Sequence, residues 1–465
     1  QMYFDGSPNF GQKISCLVPR NGDLLGTIFL KVTLPQLYLS PSSFSPPASA
    51  PVPVGYVNSP GHALIKEISI QIGEQEIDKQ TGQWMEIWSS LTTDASRQEG
   101  FRQMIQQKPG YPRIDYANNA PDLSGGLQTL PKNIFSRENG NLNIDISGVS
   151  VTASGTYVIS PSTKYPKVYD EPIMGPVTVY IPLRFWFNKN PGLYLPLLAM
   201  QYHQVRINVT LASIQEMFYS KMLYTPEGVG ACTISAQTSG GISSPLDIQM
   251  WGDYVYLDVP ERRRFVSSTL EYLIEQVQYT PPLAIPVGSK NVSLPLSFNH
   301  PIKEFIWVLQ RNVSQSRHEY FNWSSLGFYE IEKAAEFGLR EPGARTDLMT
   351  TANIQLDGQD RFNPRDPLYF RLVQPYQRHT AVPSDRYIYV YSISLRPEES
   401  QPSGTLNASR IDNLVLQIGL NNGECGSGSG NGSSSGYGDM TAFVYATNYN
   451  ILRVINGYAG LLFSV

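Results

Sequence analysis

Apolar and polar residues alternate with a period of two in stretches spread over most of the chain. Val205, Ile207, Val209 and Leu211 are separated by Arg206, Asn208 and Thr210. The same beat runs through Ile68, Ile70 and Ile72, and through Leu414, Leu416 and Ile418. Over 387–393, Tyr387, Tyr389, Tyr391 and Ile393 fall on one face and Ile388 and Val390 on the other. Successive side chains of a strand point to opposite faces, so each stretch predicts a strand with a buried face. Gly73-Glu74-Gln75-Glu76, between Ile72 and Ile77, reads as a short turn joining two of them.

Helical periodicity is scarce. Trp84, Ile87, Trp88 and Leu91 keep the i, i+3, i+4, i+7 spacing and predict one short helix over 84–92. Residues 261–276 predict another: Phe265, Leu270, Leu273 and Ile274 are apolar, and no glycine or proline interrupts them. A strand over 254–259 precedes this segment and Pro281-Pro282 follows it. It therefore reads as a helix linking two β domains, residues 1–260 and 277–465. Three stretches lack any period: 40–60 is Ser/Pro-rich, 109–162 is rich in Gly, Asn, Asp and Pro, and 421–438 is nearly all Gly, Ser and Asn. Such long stretches predict inserted loops that carry binding or mobility.

Composition agrees with an all-β reading: 35 prolines and 38 glycines in 465 residues, with 28 Tyr and 19 Phe. The net charge of −4 argues against a nucleic-acid binder, which needs a cationic face. The three cysteines, Cys16, Cys232 and Cys425, predict neither a disulfide framework nor a zinc site, and fit a reducing compartment better than an oxidising one.

No constellation for catalysis, a metal or a cofactor is predicted. His62, His203, His300, His318 and His379 lack metal-pair spacing. Gly432-Ser433-Ser434-Ser435-Gly436 has the letters of a nucleophile elbow without the flanking strand and helix. Glu398-Glu399 are sequence neighbours, which gives no cleft between two carboxyls. Sequons occur at Asn208, Asn291, Asn312, Asn322, Asn407 and Asn431. Asn208 lies within an alternating strand, whereas Asn431, Asn312 and Asn322 are the glycosylation candidates. The compact basic cluster Arg262, Arg263 and Arg264 is read as pairing with carboxylates at a domain or subunit junction.

Several phrases go further. They are Phe10-Gly11-Gln12-Lys13, Pro19-Arg20-Asn21-Gly22-Asp23-Leu24, Pro182-Leu183-Arg184-Phe185-Trp186-Phe187-Asn188 and Leu193-Tyr194-Leu195-Pro196. Later come Tyr254-Val255-Tyr256-Leu257-Asp258, Glu261-Arg262-Arg263-Arg264-Phe265 and Glu271-Tyr272-Leu273-Ile274-Glu275-Gln276. The last are Gln401-Pro402-Ser403-Gly404-Thr405-Leu406-Asn407-Ala408-Ser409-Arg410 and Asn448-Tyr449-Asn450-Ile451-Leu452-Arg453. In this order the chain resembles the major capsid proteins of nucleocytoplasmic large DNA viruses, the group that contains iridoviruses, chlorella viruses and marseilleviruses.

The resemblance implies a double jelly roll: two consecutive eight-stranded antiparallel sandwiches, with long inserted loops and a few short helices. It implies a homotrimer of pseudo-hexagonal outline that tiles an icosahedral shell, assembled in the host cytoplasm, and no enzymatic activity. Implied partners are other copies of the chain, minor capsid and penton proteins, an internal viral membrane and host surface glycans, but no direct nucleic acid. Arg262, Arg263 and Arg264 would then fix the joint between the barrels. The family's segment ahead of Phe10, which anchors beneath the capsomer, lies outside this sequence. The alternatives are a β-sandwich carbohydrate-binding module or lectin, and a glycoside hydrolase with two carboxylates in a cleft.

Overall fold

A computed structural model describes residues 1–35, 37–39, 54–107, 135–138, 141–144, 149–151, 157–159, 176–220, 234–236, 246–316, 318–325, 346–420 and 439–463. The chain divides into two compact units, Gln1–Lys108 with Ile173–Ser325 and Asp347–Val465, and Pro109–Pro172 with Leu326–Thr346. The second unit holds two small antiparallel ladders, Phe135–Glu138 with Asn141–Ile144 and Val149–Val151 with Tyr157–Ile159. The predicted loop 109–162 thus contains short strands. Most of 40–60 and all of 421–438 lie outside the described residues.

The first unit is built from two β-sandwiches. Strands β1 (Met2–Tyr3), β2 (Lys13–Leu17), β3 (Leu24–Leu34), β4 (Ile65–Ile72), β5 (Gln75–Thr81), β6 (Val177–Pro182), β7 (Val205–Leu211) and β8 (Asp247–Val255) make the first. They form two four-stranded antiparallel sheets, β1-β8-β3-β6 and β2-β7-β4-β5. The second uses β9 (Leu270–Tyr279), β10 (Asn291–Leu296), β11 (Pro301–Arg311), β12 (Met349–Leu356), β13 (Gln359–Asp360), β14 (Tyr389–Ser392), β15 (Leu414–Leu420) and β16 (Met440–Ile455). Its sheets are β9-β16-β11-β14 and β10-β15-β12-β13, with Leu283–Ile285 and Tyr458–Leu461 added on β16 and Leu406–Asn407 on β11. Each strand of the first sandwich thus has its counterpart eight strands later, in the same sheet position. This internal repeat has no close echo in the residues themselves.

Alternation sets the faces. In β3, Ile28, Leu30, Val32 and Leu34 are buried, while Phe29, Lys31 and Thr33 are half-exposed. In β7, Val205, Ile207, Val209 and Leu211 are buried. The core of the second sandwich gathers Phe305, Trp307 and Leu309 of β11 against Leu294, Ile354 and Leu416 of the facing sheet. Gly73-Glu74 alone joins β4 to β5, with Gly73 at φ 63°, a conformation that glycine adopts without penalty.

Helix α1 (Gly82–Thr92) follows β5 directly, close to the predicted bounds. Thr81 caps it, its hydroxyl accepting from the Trp84 N–H at 3.1 Å. Helix α2 (Ala95–Ile105) was not predicted. Helix α3 (Val259–Ser267) corrects the linking helix expected over 261–276: it starts two residues earlier, with Pro260 in its first turn, and stops at Ser267. Leu270–Tyr279 is strand β9, paired along its whole length with β16. The second sandwich therefore begins at Leu270 rather than at 277. The error has a physical cause. β9 is flanked by its own core on one side and by the first sandwich on the other, so Ile274 and Glu275 are both buried and the period of two is lost. The preceding strand likewise ends at Val255 rather than 259.

Candidate functional site: the joint between the sandwiches

The arginine cluster sits on α3. Arg262 donates from Nε to Asp23 Oδ2 at 2.9 Å, and Asp23 also accepts from the Leu257 N–H at 2.8 Å. These contacts fasten the linker to the first sandwich only. Arg263 and Arg264 are exposed and have no ion-pair partner among the described residues. The pairing expected of the triplet is thus made by Arg262 alone, and it does not cross the joint.

The joint itself is built elsewhere. The apolar stripe of α1, Trp84, Ile87, Trp88 and Leu91, packs on the outer face of sheet β9-β16-β11-β14. There it meets Ile306 and Val308 of β11, Ile388 and Val390 beside and within β14, and Tyr445 of β16. Trp84 lies 5.3 Å from both Trp88 and Tyr445, centroid to centroid. β11 is consequently buried on both faces. Large side chains removed from water in this way each contribute about 1.5–3 kcal/mol. Polar contacts stitch the same seam: the Tyr445 hydroxyl donates to Gln83 Oε1 at 2.7 Å, and the Val277 N–H donates to Asp78 Oδ1 at 3.0 Å. Asp78 is fully enclosed, and burial pushes its carboxyl up to about 6 against the hydrogen bonds it accepts.

Three buried ionic groups lie at the joint: two reach across it, and the third sits within the second sandwich against Trp88. In the first, Glu275 of β9 takes Lys189 from the first sandwich on Oε2 and Lys303 on Oε1, the latter at 2.6 Å. Lys303 is the extra residue of a bulge in β11, is wholly buried, and also donates to the Pro397 carbonyl. Burial would raise the Glu275 carboxyl, but the two ammonium groups outweigh it and hold it below its ordinary value. Burial lowers the Lys303 ammonium.

In the second group, Glu86 of α1 is wholly buried. It receives Ser59 Oγ at 3.1 Å and lies 2.6 Å from His62 Nδ1. Arg386 of the second sandwich approaches it to 3.1 Å, within ion-pair range although its N–H is not aimed along the contact. Burial works against this carboxylate too, yet His62, Arg386 and Gln107 keep it below its usual range. In the third, His379 lies between Glu304 Oε2 at 3.1 Å and Glu398 Oε1 at 3.0 Å, its ring edge-on to Trp88. Burial opposes the imidazolium, but the two carboxylates push its pKa up to about 9.

Sequence spacing had no means of finding these groups, because their members lie far apart along the chain. One signal was present unread. The phrases ending at Asn188 and Gln276 and the one beginning at Asn448 meet here: Lys189 follows the first, and Gln276 Oε1 accepts from Asn448 and Asn450. Of the glycosylation candidates, Asn322 is buried, its amide donating to Glu319 at 2.6 Å and its carbonyl accepting from Ser324. An oligosaccharide transferase has no access to that nitrogen in the folded chain. Asn312 is exposed at the end of β11, and Asn431 lies outside the described residues. No group of three or more His, Cys, Asp and Glu side chains that could hold a metal occurs among the described residues.

Comparison with known proteins gives matches along the whole chain. Residues 1–258 match the family described as major capsid protein N-terminus, and residues 261–460 the large eukaryotic DNA virus major capsid protein. The major capsid protein of Pyramimonas orientalis virus is 34% identical, covering 99% of this chain and 88% of the relative. That of Phaeocystis pouchetii virus is 32% identical, covering 99% and 91%. Among solved structures, the quasi-atomic model of the PBCV-1 virus capsid superposes with a TM-score of 0.67 at 27% identity, covering 100% of this chain and 96% of that one. The Faustovirus major capsid protein shares the fold at 14% identity, with a TM-score of 0.61.

Proposed function

From a chain that belongs to the major capsid proteins of large eukaryotic DNA viruses, we propose that three copies close into a homotrimer of pseudo-hexagonal outline. As a major capsid protein it is a structural component of the virion, folded as a double jelly roll. One observation carries the trimer: two sandwiches of the same strand order stand in one chain. Three chains then supply six like bricks, the number that a hexagonal outline needs, and head-to-tail contacts close a ring when the rotation allows.

In this reading the chain up to α3 forms one jelly roll, close to the expected 1–260, and the chain from Leu270 the other, with α3 between them. The work is mechanical rather than catalytic. The buried ionic groups and α1 make the two bricks one rigid body, and contacts between trimers tile the shell. Minor capsid and penton proteins are further partners, the internal membrane lies beneath the shell, host glycans meet outer loops, and assembly takes place in the host cytoplasm. Of the three glycosylation candidates, Asn312 and Asn431 are left for modification, which intact mass would reveal.

Multi-angle light scattering of the purified chain tests the trimer. The expected mass is three times the 51.9 kDa of one chain, with little monomer on dilution, since obligate oligomers seldom leave a stable free subunit. A monomer at micromolar concentration contradicts it.

A further inference from the structure

The internal repeat identifies two surfaces without partners among the described residues. In the second sandwich, the outer face of sheet β9-β16-β11-β14 is covered by α1, the segment between the fifth and sixth strands of the first sandwich. The matching face of the first sandwich, on sheet β1-β8-β3-β6, has nothing on it among the described residues and is aromatic. Tyr3 is 67% exposed, and Trp251 and Tyr180 are each 38% exposed. Register places them together: Trp251 is opposite Phe29 on β3, and Tyr180 is opposite Lys31 next along that strand. Phe29 stacks on Trp251 at 6.4 Å and tilts against Tyr180 at 6.2 Å. A contiguous aromatic strip on a sheet face marks an interaction surface more often than a solvated one.

The complement lies in the second sandwich. Between its fifth and sixth strands, β13 and β14, runs a helical segment, a π turn Tyr369–Val373 continued by Gln374–Arg378. It occupies the position in the second sandwich that α1 occupies in the first. α1 buries its apolar stripe, whereas this segment presents Leu368 at 49%, Val373 at 40% and Tyr376 at 80% exposure. The strip and the segment are the two open ends of a contact already made once inside the chain.

We propose that the Leu368–Val373–Tyr376 surface of one copy docks on the Tyr3–Phe29–Tyr180–Trp251 face of the next, repeating between chains the contact that α1 makes within one. The occupant of the aromatic face is therefore a second copy of this chain. The contact is head-to-tail, so it leaves open ends on a dimer and none on a closed ring of three. The charges suit it: Asp247 and Asp253 lie exposed on the β8 strand of the strip, while Arg365 and Arg378 flank the exposed apolar residues of the segment. The inference rests on the trimer reading above and adds which surfaces make it.

The test is a photo-crosslinking phenylalanine analogue placed at Tyr376 in the full chain, irradiated in the purified oligomer and mapped by mass spectrometry. The expected result is inter-chain links into residues 1–5, 27–33, 176–182 or 247–253. A trimer whose links fall elsewhere overturns the docking and leaves the trimer standing, whereas a monomeric wild type overturns both. Two variants add a second readout. Tyr376→Asp and Trp251→Glu should each raise the concentration for half-dissociation about thirtyfold or more, as loss of an interface anchor does. Mixed together they should form a one-to-one pair through the single intact contact. Trp251→Glu chains that remain trimeric on dilution would overturn the proposal and leave the aromatic face for another ligand, such as a saccharide.

Discussion

Strands β3 and β11 hold the same place in the two sandwiches, yet their outward residues have opposite fates. On β3 these are Phe29, Lys31 and Thr33, all half-exposed. On β11 they are Glu304, Ile306, Val308 and Gln310, all buried. The backbone topology is common to both, so it does not decide the difference. What decides it is whether a helix from the neighbouring sandwich lies on the sheet. Where α1 covers the face, the sequence supplies branched aliphatics and buried ion pairs. Where no described element of the same chain does, it supplies amphipathic aromatics, which tolerate water until a partner arrives. One strand order thus provides a permanent joint and an open one.

The largest expected effect breaks the closed joint. Trp88→Ala removes a ring packed between the sandwiches and should cost about 3–5 kcal/mol in denaturant unfolding. Trp251→Ala, on the open face, should cost less than about 1 kcal/mol in the isolated chain. Equal costs would mean that the two faces do not differ as described. Next comes Glu275→Gln, which leaves Lys303 buried without its anion; a loss of about 3 kcal/mol is expected from the same melts.

The pH dependence follows from His379. Its folded pKa of about 9 lies above the ordinary value of 6.5, so its stabilisation is fully present below about 6.5 and is lost as the pH rises through 9. The shift corresponds to about 3 kcal/mol. Midpoints measured from pH 6 to 10 should fall for the wild type, and His379→Gln should flatten that fall. An unchanged slope would remove the imidazolium from the joint. Smallest is Arg262→Ala. Arg262 is half-exposed and Asp23 keeps its backbone donor, so at most about 1 kcal/mol should be lost. Changing Arg263 or Arg264 should lie within about 0.5 kcal/mol.

How much of this was legible depends on what each residue faces. Strands with one wet side, such as β7 and β15, announced themselves by alternation. α1 announced itself by its tryptophan spacing. β9 did not, because both its sides are dry where Ile274 and Glu275 lie, and its leucines mimic a helix. Tyr387 also breaks its predicted face: its φ of 54° turns it from the Tyr389 side toward the Ile388 side. The ionic groups were invisible, since Glu86 meets Arg386 across three hundred residues of chain. Arg262–Arg264 drew notice as a cluster, although a solvent-facing helix tolerates such charges at little cost. The two sandwiches were legible from the pattern and the resemblance, but their repeat has no close echo along the chain, because it resides in strand order and not in side chains.

The most direct test of the account is a cryo-electron microscopy map of the purified capsomer. The account predicts six sandwiches about a threefold axis, with the contact from Tyr376 to the next chain superposing, after rotation by one sixth of a turn, on the contact that α1 makes within a chain. A trimer in which the Tyr3–Phe29–Tyr180–Trp251 face points to solvent would contradict it.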